Sequence, residues 1–89
     1  MNSNRNWALH VDPDVYRYSA KFSMSDRRRI FEAVESLKEN PYAGDIEKIK
    51  GEENRWRRRV GVYRIFYKIY QESRAVVVVE IKRRGSHTY

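Results

Sequence analysis

Apolar and polar residues alternate at the start of the chain. In WALHV, residues 7 to 11, Trp7, Leu9 and Val11 fall on one side, which predicts a short strand burying one face. The period then changes. Asp12 and Pro13 supply a cap and a first helical residue, and Val15, Tyr18 or Ser19, and Phe22 follow at helical spacing, so a helix should run to about Ser23. A second helix is expected with Ser25 as its cap, Ile30, Val34 and Leu37 on one stripe, Phe31 and Ala33 flanking that stripe, and Asn40 and Pro41 at its end. The short link makes the pair an antiparallel hairpin whose apolar stripes need a sheet to cover.

The segment YAGDIEKIKGEEN, with Gly44, Gly51 and many charges, reads as a loop in which Ile46 and Ile49 turn inward. Alternation returns at residues 55 to 60, 62 to 70 and 75 to 82, predicting three strands joined near Gly61 and by the polar QESR turn. The expected fold class is therefore α+β, in the order β-α-α-β-β-β, with a helical hairpin packed on one face of a small, mainly antiparallel sheet. The tail RRGSHTY has no period and is expected to lie across the end of that sheet. A chain of this length buries only roughly 60–65% of its unfolded surface and cannot fill two cores, so residues 1–89 read as a single domain.

Side chains two apart in a strand share a face. Tyr63, Ile65, Tyr67 and Ile69 are thus expected in the core, with Arg64, Phe66 and Lys68 on the opposite, open face. Trp56 and Val60 join the core face and leave Arg57 and Arg59 open. In the last strand Val77, Val79 and Ile81 are expected inward, Glu80 and Lys82 outward. Arginines of neighbouring strands therefore converge, and Phe66, Val76 and Val78 would add exposed apolar surface suited to a partner segment with acidic and apolar residues.

Charge gives this face a meaning. Lys and Arg total 19 against 12 Asp and Glu, a net +7 that favours an anionic partner. Arginine stands at Arg55, Arg57, Arg58, Arg59 and Arg64, and its planar fork suits bidentate phosphate contacts better than a merely solvated face requires. Arg55, Arg58, Lys68, Lys82 and Arg84 are candidate RNA-binding residues. The absence of cysteine excludes a disulfide framework and a thiolate metal site, with a reducing cytoplasm as the natural compartment. The polar N-terminus and the short AVVVV run at 75 to 79 predict neither targeting nor membrane insertion. His10 reads as an ordinary strand residue, Tyr16 and Tyr18 as core and rim, and Arg27, Arg28 and Arg29 as the solvated start of a helix. His87 shares the tail with Arg83, Arg84 and Tyr89 and is an active-site candidate.

The order of elements, with the runs KIKG, WRRRVGVYRIFYKI and VVVVEIKRRGSHTY, resembles the RelE/ParE superfamily of toxins from toxin-antitoxin operons, and most closely its RelE branch. The most specific part is aromatic, Arg, x, Arg, aliphatic, Gly, x, Tyr, Arg, x, x, Tyr, met by Trp56, Arg57, Arg59, Val60, Gly61, Tyr63, Arg64 and Tyr67. The resemblance implies a ribosome-dependent mRNA endoribonuclease that enters the A site and cuts by attack of a ribose 2′-hydroxyl on the adjacent phosphate, without metal or cofactor. It implies catalytic places for Arg57, Arg59, Arg64, Arg83 and Tyr89, with Tyr89 stacking on a base. It also implies a cognate acidic antitoxin encoded nearby, the ribosome and mRNA as partners, and a toxin that is monomeric when alone and enters a higher-order complex with its antitoxin.

One departure matters. Several family members carry lysines where this chain has Arg57 and Arg59, and arginine, which stays protonated in proteins, is a poor proton acceptor. His87 is the best-tuned acceptor for the 2′-hydroxyl proton, with Glu52 or Glu53 as a lesser alternative. Two rival functions stand beside the nuclease: a ParE-like inhibitor of DNA gyrase, and a non-catalytic RNA-binding module.

Overall fold

Five strands and two helices make up the computed structural model, which describes residues 6–83. In chain order they are β1 (Ala8–Val11), α1 (Pro13–Ser19), α2 (Met24–Ser36), β2 (Ile46–Lys48), β3 (Arg55–Val60), β4 (Tyr63–Tyr70) and β5 (Ala75–Arg83). The sheet runs β1-β5-β4-β3-β2, with β1 parallel to β5 and every other pair antiparallel. Both helices lie on one face, α1 over β5 and α2 over β3 and β4. This is the expected α+β architecture with one strand added. No helix among the described residues is long and apolar enough to cross a membrane.

Local signals place the helices, with small corrections. Asp12 caps α1 by accepting from the Asp14 N–H at 2.9 Å, and Pro13 occupies the first turn. The helix ends at Ser19, short of Ser23. Ser23, not Ser25, caps α2: its backbone is extended and its Oγ accepts from the Asp26 N–H at 3.2 Å. The link is tighter than the polar spacing indicates, and it takes Ser25 into the first helical turn. At its other end α2 stops at Ser36, yet Leu37 remains fully buried. The Trp7 N–H donates to Lys38 O at 2.8 Å and ties the start of the chain to this end of the helix.

Val15, Ile30, Ala33, Val34 and Leu37 pack from the helices onto Tyr63, Ile65, Tyr67 and Ile69 of β4. The core alternation expected for β4 holds, but that of β5 does not. Val76 and Val78 are fully buried, whereas Val77 and Val79 are only half-buried, and of the three residues expected inward Ile81 alone is buried. The register explains the change: Phe66 pairs with Glu80 and Tyr67 with Val78, leaving Val79 as an extra residue. Such a bulge sets two residues against one and reverses the inward phase. The expected apolar patch of Phe66, Val76 and Val78 is therefore absent: the two valines lie under the helices, and Phe66 is covered on the other face.

The segment expected to be a loop contains β2, whose register sets Ile46 opposite Arg58 and Glu47 opposite Arg57. A three-residue strand is too short to show a period in the sequence. Gly61 opens the two-residue turn between β3 and β4 with a φ of +59°, a conformation that costs a glycine little.

Candidate nucleic-acid interface

The open face of the sheet is built in rows that cross the strands. In one row Arg59, Arg64 and Lys82 stand side by side on β3, β4 and β5. In the next, Glu47, Arg57, Phe66 and Glu80 follow one another across β2 to β5. The third contains Arg55, Lys68 and Val77. The alternation of β3 and β4 alone brings Arg55, Arg57, Arg59, Arg64 and Lys68 to this face. The half-buried Arg64 occupies the middle of its row.

Acidic side chains that the sequence did not single out sit among these cations. Arg57 Nη2 is ion-paired with Glu47 Oε1, and Arg59 Nε lies 4.0 Å from Asp45 Oδ2. Arg55 Nη2 donates to Glu80 Oε1 at 2.6 Å, while Lys82 Nζ stands 3.7 Å from the other oxygen of the same carboxylate. The Arg55 guanidinium and the Lys82 ammonium lie 5.1 and 5.7 Å from the centroid of the Phe66 ring, covering it with charge. The available signal for the acids was the spacing of Asp45 and Glu47 two apart, as in a strand.

Two expected site residues lie elsewhere. Arg58 points to the helices: its Nη1 donates to Ser36 Oγ at 2.9 Å, and its guanidinium fills the space where a side chain on Gly44 would be. It is a clamp between β3 and α2, since strand alternation sends it opposite to Arg57 and Arg59. Arg83 pairs in register with the core-facing Tyr63 and lines a cavity of about 410 Å³ with Tyr18, Lys21, Phe22, Ser23 and Asp26 at the end of the sheet. It stands beyond the row of Arg59 and Arg64 and on the helix side. Arg84, His87 and Tyr89 lie outside the described residues. Glu52 and Glu53 are in the turn between β2 and β3.

The two buried tyrosines of β4 are structural. The Tyr63 hydroxyl donates to Asp26 Oδ2 at 2.9 Å, and burial followed by this carboxylate raises its pKa. Burial pushes Tyr67 up to about 12, and its hydroxyl donates to Pro41 O at 3.1 Å. Both phenols stay protonated near neutrality, so neither accepts a proton there. The open face can instead bind phosphate through guanidinium forks and stabilise charge that develops on it.

A family profile described as the ParE toxin of the type II toxin-antitoxin system, parDE, matches residues 11–87. The chain belongs to the RelE/ParE toxin superfamily. Among toxins of this superfamily, a Methanocaldococcus jannaschii protein that carries the name of toxin RelE1 is 32% identical over 63 residues, spanning 67% of this chain and 70% of that protein. The fold is shared with RelE in an archaeal RelE-RelB complex from Pyrococcus horikoshii, at a TM-score of 0.79 and 21% identity over 91% of this chain and 98% of the other. The RelBE2 toxin-antitoxin complex of Mycobacterium tuberculosis gives a TM-score of 0.77 at 20% identity, covering 89% and 99%. Isolated Escherichia coli RelE gives 0.72 at 18%, covering 88% and 84%. This toxin thus has RelE relatives in both sequence and fold.

Proposed function

We propose that this toxin is a ribosome-dependent mRNA endoribonuclease. The observation that carries the reading is the open-face row of Arg59, Arg64 and Lys82 beside Arg57, a cluster of cations able to contact the phosphates of an RNA strand. The ribose 2′-oxygen attacks the adjacent phosphorus, the bond to the 5′-oxygen breaks, the leaving oxygen takes a proton from water, and the ends are a 2′,3′-cyclic phosphate and a 5′-hydroxyl. Arg64, flanked by Arg59 and Lys82, stabilises the negative charge of the transition state. Arg57 and Arg55 position the strand, with Lys68 beside Arg55. His87 takes the 2′-hydroxyl proton, and Tyr89 stacks on a base. The compartment is the cytoplasm, where translating ribosomes are found.

The partner that silences the toxin is a cognate antitoxin, supported by relatives whose structures are complexes with RelB. An acidic antitoxin segment that folds on binding would cover the arginine rows. The ParE description of the matching profile favours a second reading, inhibition of DNA gyrase.

Primer extension on mRNA in a purified translation reaction separates the two readings. Cuts confined to ribosome-bound message support the nuclease. Intact message with inhibited gyrase supercoiling supports the second reading, and intact message with neither effect leaves an RNA-binding module.

A further inference from the structure

Three arginines of the open face have a carboxylate as partner, and in each pair the carboxylate is the more exposed side chain. The side chains are 24% exposed for Arg57 against 64% for Glu47, 45% for Arg59 against 68% for Asp45, and 25% for Arg55 against 38% for Glu80. Asp45 and Glu47 stand beside β3 at the edge of the sheet, so an approaching phosphate has to compete with a carboxylate for the same guanidinium. The arrangement is written in register. Glu47 lies opposite Arg57, and Asp45 accepts the Arg59 N–H through its backbone at 3.0 Å, extending the ladder by one residue. The next inward step of that edge is Ile49, whose N–H donates to Arg55 O at 2.8 Å. With an apolar residue there, Arg55 takes its acid on the same face from across β4, Glu80 on β5.

We infer that Asp45, Glu47 and Glu80 act as internal phosphate substitutes, ion-paired with the guanidiniums and holding the toxin's affinity for free RNA low. The inference rests on the RNA-cleaving reading above and adds its regulation. A carboxylate offers a guanidinium the same two-oxygen edge as a phosphodiester. Exposed ion pairs are weak and screened by salt, so they yield where phosphate density is high and hold where it is low. A ribosome concentrates phosphate around its decoding cleft, whereas a free message does not. The acids thus confine productive binding to the ribosome, in the same manner in which an acidic antitoxin would cover the face.

The test is fluorescence anisotropy with a single-stranded RNA oligonucleotide bearing 2′-O-methyl groups, which cannot be cut by 2′-hydroxyl attack. Wild type is compared with Asp45→Asn/Glu47→Gln across a salt series. Freeing two arginines should steepen the plot of log affinity against log salt by about 1.4, at about 0.7 for each phosphate contacted. Binding at low salt should tighten on the order of tenfold. The control is Asp14→Asn/Glu35→Gln, which removes the same charge from the helical pairs Arg17–Asp14 and Lys38–Glu35. That control should leave the slope near wild type.

Equal slopes and affinities for wild type and the Asp45/Glu47 variant overturn the inference, with folding of both checked by circular dichroism. An equal gain in the helical control also overturns it, because net charge alone would then be responsible. The nuclease reading is tested separately by wild type on ribosomes. Message left intact there, with a gain of slope in the variant, sinks the reading and not the competition by carboxylates.

Discussion

Neighbouring arginines on β3 should behave as opposites, and Arg58 gives the clearest case. Arg58→Ala removes a charged donor that bonds Ser36 Oγ at 2.9 Å and links β3 to α2. A hydrogen bond with one charged partner contributes about 1.5–3 kcal/mol, and the stem of the side chain adds packing against the helix. Ser36 Oγ also donates to Ala33 O at 2.7 Å, so the truncation leaves its hydroxyl with a partner. The expected loss is therefore about 2 kcal/mol, near the lower end. For a domain of this size that corresponds to a fall in Tm of about 8–16 °C. Arg57→Ala loses only an ion pair to the exposed Glu47, which is worth about 0–1 kcal/mol. Urea and thermal melts of both variants, combined with RNA anisotropy below either transition, provide the measurement. The variants should cross: Arg58→Ala is unstable but retains RNA affinity when folded, while Arg57→Ala is stable and binds RNA more weakly. Wild-type stability in Arg58→Ala, together with a larger loss of RNA affinity than in Arg57→Ala, would refute the assignment of faces.

Arg64→Ala should remain folded by circular dichroism and lose about a hundredfold in cleavage rate on programmed ribosomes, the equivalent of about 3 kcal/mol of transition-state stabilisation; unchanged toxicity in growth assays counts against the site. If His87 is the proton acceptor, single-turnover cleavage should rise with pH through an apparent pKa of about 6–7 and then level off, because only neutral imidazole accepts a proton. His87→Gln should flatten that profile, and a glutamine variant with the wild-type profile moves the role to another group. Tyr67 has a folded pKa raised to about 12, so its contribution is complete below an unfolded value of about 10 and is lost as pH climbs through 12. Urea melts at pH 8 and pH 11.5 should show wild type losing about 2 kcal/mol more than Tyr67→Phe over that interval, and parallel losses would refute the burial argument.

Sequence periodicity by itself determined the core face of β4, the alternation of β3 and the apolar stripe of α2. Each depends on the geometry of one element: side chains two apart in a strand, or three to four apart in a helix, share a face whatever the rest of the chain does. Convergence of Arg57, Arg59 and Arg64 follows from that rule once β3 and β4 form a hairpin about Gly61. The family resemblance carried by the same run supplied the function to be tested, but the rule supplies the geometry.

Tertiary structure decided what depends on pairing between elements. The inward phase of β5 reverses at Val79 because Tyr67 pairs with Val78 while Phe66 pairs with Glu80. Nothing local to AVVVV marks which valine is extra, since all of them suit either face. Strand β2 exists because β3 presents an edge to it, and three residues of DIEK acquire strand geometry from that partner. The same pairing brings Asp45 and Glu47 against Arg59 and Arg57, turning what the sequence presents as uniform positive charge into arginines already ion-paired with carboxylates. Charge can be counted along a chain, but the partner of each charge is chosen by register, which is set only when the sheet closes over its core.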